Sequence, residues 1–162
     1  MSQTEPLKPL TDYDFLVQSA DEWLDRQKEG KVVIWPSDRE LQQTRQGILR
    51  YYMNVNHDDI CLTEWIVLVQ DIPDRSGRHR HQGGVMIFAL DGDGATEMDE
   101  VIHEWSEGDL VILPMKPDGV VHQHFNRTAD GTPARWCAFS NTTIFHYVGN
   151  RQEQVALAPN AH

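Results

Sequence analysis

The rhythm of apolar positions divides the chain near residue 48. Before that point the signals are brief and mostly helical. Ser19 followed by Glu22 fits a capping box and Gly30 fits a stop, which predicts a short helix over 20–29 (ADEWLDRQKE) burying Trp23 and Leu24. VVIW at 32–35 reads as a short strand ended by Pro36, and Ser37 with Glu40 predicts a second short helix over 38–46. After residue 48, runs rich in Val, Ile, Trp, Tyr and Phe alternate with turn residues. They are ILRYYMNV, LTEWIVLVQ, GVMIFAL, VIHEW, LVILP, VVHQHFN, RWCAFSN and TIFHYV, punctuated by DRSG, DGDG, SEGD, KPDG and ADGTP. At least seven strands at this spacing predict an all-β sandwich or barrel rather than alternating helices and strands. A sheet closing on itself also encloses room for one small ligand. The expected organisation is an N-terminal helix and strand segment (1–50) packed on a β-barrel (51–150), then a loose tail (151–162).

Composition narrows the functional classes. A chain of 162 residues suits one domain with its own core. With 14 Lys+Arg against 25 Asp+Glu, the net charge of −11 opposes nucleic acid and anionic membrane surfaces as partners. The hydrophobic share of 40% with five Trp is too rich for a disordered chain. No apolar run approaches the length of about 18 residues that a membrane helix needs. The polar, acidic start MSQTEPLKPLTDYD does not read as a secretory signal, so a cytoplasmic location is expected. Cys61 and Cys137 both lie in strand-like text and are expected as buried free thiols. The strands ARWCAF and LTEWIVLV are apolar on both faces, which suggests a partner subunit and hence a homodimer.

Histidine is the unusual component: eight in all, four of them in two His-x-His pairs. Residues i and i+2 of a strand share a face, so His79 and His81 in GRHRHQ point one way, as do His122 and His124 in VVHQHFN. Two strands each turning a pair of imidazoles into one barrel make a metal-site geometry, since neutral imidazole suits Fe, Zn, Cu, Mn and Ni.

These residues resemble the cupins. The first cupin motif, G-x5-H-x-H-x3,4-E-x6-G, is matched by His79, His81 and Gly92; the second, G-x5-P-x-G-x2-H-x3-N, by Gly108, Pro114, Gly119, His122 and Asn126. Three departures stand out. Gly77 lies two residues before His79 instead of six, the stretch from Pro114 to Gly119 is three residues longer, and Val85 stands where the motif has its metal-binding Glu. The resemblance implies a cupin-type β-barrel (a jelly roll) whose first shell is His79, His81 and His122, all uncharged. A divalent ion there keeps its full charge. An anionic oxygen 4 Å from even one unit of that charge gains roughly 4 kcal/mol at an effective dielectric of about 20. Anionic chelating substrates are therefore favoured: enolates, catecholates, hydroxy-carboxylates.

HRH without Glu, followed by H-x-H-x-N, is similar to the gentisate and salicylate dioxygenase branch of that family. The likeness implies iron(II) on His79, His81 and His122, dioxygen as co-substrate, and His124 beside the substrate as a proton-handling catalytic residue. Strand geometry alone leaves His124 open as a fourth ligand. Val85, Ile87 and Ala89 continue the inward parity as an apolar wall, Val85 and Ile87 being expected substrate contacts together with Asn126. Gln82 turns outward by parity, and Arg50, Arg127 and Arg135 are candidate carboxylate clamps with surface solvation as the plainer reading. His57, His103 and His146 lie away from the motifs. The expected function is an iron(II)-dependent dioxygenase acting on a small anionic aromatic or enediol-like compound. The alternatives are a Zn, Mn or Ni hydrolase, lyase, decarboxylase or isomerase, or a non-catalytic small-molecule-binding cupin.

Overall fold

The computed structural model describes residues 10–159 and 161; the expectation for residues 1–9 lies outside them. Helix α1 (Asp12–Glu29) opens on Thr11, whose hydroxyl accepts from the Asp14 N–H while the Asp14 carboxylate accepts from the Thr11 N–H. This reciprocal cap starts the helix eight residues before the expected position 20. Ser19, expected as the cap, lies inside the helix and donates to the Leu16 carbonyl. Trp23 and Leu24 are about half exposed instead of buried, since α1 buries none of its residues. Its attachment is at the C-terminal end, where the Gln27 amide donates to the Cys61 carbonyl. A Cβ on Gly30 would come within 2.5 Å of Cys61 N, so only glycine lets the chains pass there.

The expected strand at 32–35 does not form. Trp35 instead precedes a single 3-10 turn (Pro36–Asp38), its N–H donating to the Asp38 carboxylate. The expected helix at 38–46 is replaced by β1 (Gln42–Thr44), which turns through Gly47 (φ 118°) into β2 (Gly47–Met53). Nine further strands follow: β3 (Trp65–Ile72), β4 (Arg78–His81), β5 (Val85–Asp91), β6 (Asp93–Met98), β7 (Val101–Ser106), β8 (Leu110–Leu113), β9 (Val120–Asn126), β10 (Ala134–Asn141) and β11 (Glu153–Ala156). TIFHYV, expected as a strand, is helix α2 (Thr142–Tyr147), because the Asn141 side chain caps it by accepting from the Ile144 N–H. Residues 153–156, within the stretch expected as a loose tail, form β11. It pairs with β4, and Ala158 beyond it is buried.

All strand pairs are antiparallel. They build a six-stranded sheet, β1-β2-β3-β10-β5-β8, and a five-stranded sheet, β11-β4-β9-β6-β7. The two sheets form a jelly roll without closing into one continuous cylinder. Period-two alternation sets the interior: Val85, Ile87 and Ala89 of β5 face in while Met86, Phe88 and Leu90 face out. From β10, Trp136 and Ala138 join them in a core with Ile72, Trp105 and Leu113. Cys61 and Cys137 are half-buried free thiols, and burial pushes the Cys137 thiol up to about 11. Among the described residues no helix is long and apolar enough to cross a membrane.

One glycine sets the packing at the site end of the core. Gly94 pairs with Trp105 across β6 and β7, and a Cβ there would meet the indole at 2.1 Å. Gly94→Ala is expected to lower stability by about 1–3 kcal/mol, the usual range for overpacking a filled core. A shift of the urea midpoint at unchanged slope would measure it.

Candidate metal centre

Strand register assembles the histidines. On the five-stranded sheet β4 pairs with β9 so that His79 lies opposite His122. His81 follows two residues on, on the same face. The ring centroids of His79 and His122 are 4.0 Å apart, those of His81 and His122 4.7 Å, and those of His79 and His81 5.4 Å. One ring nitrogen from each of the three lies within 4.8 Å of the other two. His124 is next along β9, its ring 5.4 Å from that of His122 and edge-on to Trp136 at 5.0 Å.

The four rings open onto a cavity of about 440 Å³ between the sheets. Its walls are largely apolar: Leu49, Ile66, Leu68, Val85, Ile87, Leu113, Trp136, Ala138 and Phe145. Polar groups enter from Tyr51, Gln70 and Ser140, and at the β1–β2 turn and beside β11 from Arg45, Gln46, Gln152 and Gln154. Among the described residues no Asp or Glu lines it, although the chain carries 25 of them. Val85 and Ile87 are thus on the cavity wall as expected from parity, whereas Ala89 lies in the core beyond it.

Asn126 is elsewhere. Its amide donates to the Pro73 and Thr132 carbonyls and its oxygen accepts from the Thr128 N–H, which ties two loops together outside the cavity. Gln82 faces away and binds the Asn150–Arg151 segment. Arg135 pairs with Asp71, and Arg127 stacks over Phe125. Arg50, Arg127 and Arg135 are not among the cavity-lining residues; Arg45 is. Arg45, Gln46 and Gln154 escaped the sequence reading because turns and tails carry no periodicity. Trp136 and Ser140 did leave a signal, the period-two spacing of β10 in register with Val85 and Ile87.

Burial, the largest cause, holds every ring of the cluster uncharged. It lowers His79 to about 4, partly opposed by the Gly77 carbonyl, and His81 and His124 to about 3, with neighbouring imidazoles adding to the effect. His122 is pushed well below its ordinary value by burial and then by its three neighbours. The hydrogen bonds at Nδ1 sort the tautomers. His79 and His122 donate from Nδ1 to the Gly77 and Val120 carbonyls, 3.3 and 3.2 Å away, leaving both Nε2 lone pairs free for a cation. His81 is held the other way: its Nδ1 accepts from the Gly83 N–H at 3.0 Å, so its proton sits on Nε2.

Tested against a cation, this donor set fits, with one adjustment. Three compact, neutral nitrogens in an apolar shelter suit a borderline divalent ion, and His81 joins by releasing Gly83 and moving its proton to Nδ1. Losing that hydrogen bond costs on the order of 1–3 kcal/mol.

The lowered values have a consequence for the metal-free protein. Below the unfolded value of about 6.5 the unfolded chain takes up protons that the folded rings refuse, so stability is full above about pH 7 and falls toward pH 4. The slope reaches about 1.4 kcal/mol per pH unit for each buried ring. Thermal unfolding of metal-stripped protein is expected to show the steepest loss between about pH 5.5 and 4.5, and His124→Gln to make it shallower.

Residues 67–145 match the family model of the cupin domain. No curated protein sequence matches the chain. Among solved structures, the chain is similar to the polyketide cyclase RemF from Streptomyces resistomycificus, at 13% identity over 79% of this chain and 87% of that one, with a TM-score of 0.58. A nucleoside dehydratase from Streptomyces is similar at 11% identity over 79% and 94%, with a TM-score of 0.56. A cupin-like protein from Thermotoga maritima is similar at 17% identity over 72% and 87%, with a TM-score of 0.51. At these identities the likeness is one of fold. Two facing antiparallel sheets, paired histidines at the motif spacings and the family match agree that this chain is built around a cupin domain at residues 67–145.

Proposed function

We propose that the protein is a metal-dependent cupin enzyme for a small anionic substrate, and specifically an iron(II) dioxygenase cleaving an aromatic or enediol-like compound. One observation carries the reading: three uncharged imidazoles converge in a cavity that, among the described residues, no carboxylate lines. A cation held there keeps its whole formal charge, so the anion that meets it comes from the substrate. The described carboxylates lie off the cavity wall and do not meet that anion at close range, although the chain's net charge is −11.

When bound, iron(II) supplies an electron donor with open positions for substrate oxygens and dioxygen, whereas Zn, Mn or Ni supplies a Lewis acid. The chain does the rest. Val85, Ile87, Leu113 and Phe145 receive an apolar ring or chain and exclude water. Arg45, among the cavity-lining residues, offers a guanidinium to an outlying carboxylate. His124 hydrogen-bonds the substrate from the same strand as His122. A second reading has an independent motive, because two structures of this shape are named as a polyketide cyclase and a nucleoside dehydratase. The same pocket with a redox-inactive ion would then serve ring closure or loss of water.

Oxygen uptake by the iron-reconstituted protein, run against catechols, gentisates, salicylates and β-diketones, separates the readings. One dioxygen consumed per product is expected; product formed at the same rate under argon overturns the dioxygenase and leaves the second reading. His79→Ala is expected to abolish stoichiometric metal and at least ~100-fold of the activity while the chain stays folded, since losing even an outer partner of a ligand costs about 10–100-fold. Metal analysis with circular dichroism checks it. Zinc titration followed by NMR is expected to displace the Gly83 amide resonance strongly, because that N–H loses its acceptor when His81 turns Nε2 to the ion.

A further inference from the structure

His124 repeats the spacing of the ligand pair on β4, and spacing alone leaves it open as a fourth metal ligand. Its hydrogen bonds say otherwise. The ring is 2% exposed and lines the cavity, with Nδ1 directed at Thr96 Oγ1, 2.9 Å away. Thr96 lies opposite His124 in the β6–β9 register and is fully buried. The same oxygen accepts from Trp105 Nε1 at 3.0 Å. An indole nitrogen only donates, so the direction of that bond is certain.

Thr96 has one proton to place, and His124 Nδ1 is the partner within reach. Were His124 the donor, Thr96 Oγ1 would accept twice and its own O–H would be buried without an acceptor, which is strongly disfavoured. We infer that Trp105 and Thr96 lock His124 in the tautomer with its proton on Nε2, so that the cavity receives an N–H donor there and not a fourth lone pair for the cation. Thr96 is a positioning residue, and Gly94, which leaves room for the Trp105 indole, supports it.

The consequence deepens the functional reading above and rests on it. The substrate needs two kinds of oxygen: those that chelate the cation at His79, His81 and His122, and an acceptor oxygen one residue pair further along β9 at His124. An ortho-hydroxycarboxylate has such a set, with one carboxylate oxygen left over after two oxygens chelate; a simple catechol or a bare enediolate, with both oxygens on the ion, has none left for His124.

The test is nitrogen NMR of the histidine rings in the full chain, metal-free and zinc-loaded. In the metal-free protein, His124 Nδ1 is expected at the position of an unprotonated ring nitrogen and Nε2 at that of a protonated one, with a preference of roughly tenfold or more. The reverse pattern overturns the inference. On zinc loading, His79 and His122 Nε2 shift and His124 Nε2 keeps its proton; a one-bond coupling from His124 Nε2 to cadmium in the cadmium-substituted protein overturns it equally. Thr96→Val is expected to move the tautomer toward Nδ1–H with zinc stoichiometry unchanged, and Thr96→Ser to restore it. An unaltered pattern in Thr96→Val refutes the role of Thr96. If zinc does not bind at all, the functional reading fails while the metal-free spectrum still decides the tautomer.

Discussion

The antiparallel register of β4 against β9 is the constraint on which the rest of this structure depends. It sets His79 opposite His122, and the two-residue period of a strand then carries His81 and His124 to the same side. A slip of one residue on either strand would turn a pair of rings to the other face. Four imidazoles are thereby crowded into one buried space, where burial and their mutual repulsion keep them uncharged. The fold holds this arrangement because a neutral imidazole is a modest polar group to bury, provided one nitrogen finds a partner. Each ring does: Gly77, Gly83, Val120 and Thr96 supply them.

Those partners do more than satisfy polar atoms. A backbone carbonyl forces a proton onto Nδ1, a backbone N–H forces it off, and a hydroxyl does whichever its other bond leaves to it. His79 and His122 emerge as lone-pair donors toward the cavity, His124 as a hydrogen-bond donor, and His81 as a ring that must change partner to ligate. Chemically identical side chains, repeated at the same spacing, thus take different roles from what lies behind them.

Electrostatics explains how a strongly acidic chain can keep its carboxylates off the cavity wall. Carboxylates of the described residues pair outside the cavity, as in the partly buried Arg39–Asp59 and Arg78–Glu97 and the exposed Lys116–Asp99. Among the described residues the cavity wall has none, so the field at the site is set by the Arg45 guanidinium and by whatever cation the imidazoles hold. Val85, in place of a carboxylate, is decisive here, since it removes the one negative group that the motif would place beside the ion.

Much of this was legible from sequence because it depends on period and type. Strand alternation announces an all-β fold, the His-x-His pairs announce a shared face, and Val85 announces a neutral ligand set. What failed was local. Ser19 and Ser37 looked like caps, but Thr11 with Asp14 made the better one and Pro36 began only a single turn. TIFHYV looked like a strand until Asn141 capped it as a helix. Propensity decides such short stretches weakly, and a hydrogen bond from a neighbouring side chain outweighs it. Asn126 shared a face with the ligands by parity yet ties loops together, because β9 ends there and its amide meets the Pro73 and Thr132 carbonyls. Sequence by itself determined which residues face inward and that four of them are imidazoles. Only the tertiary structure decided where each ring's proton sits and that the β1–β2 turn and β11 complete the cavity, since both depend on contacts between segments far apart in the chain.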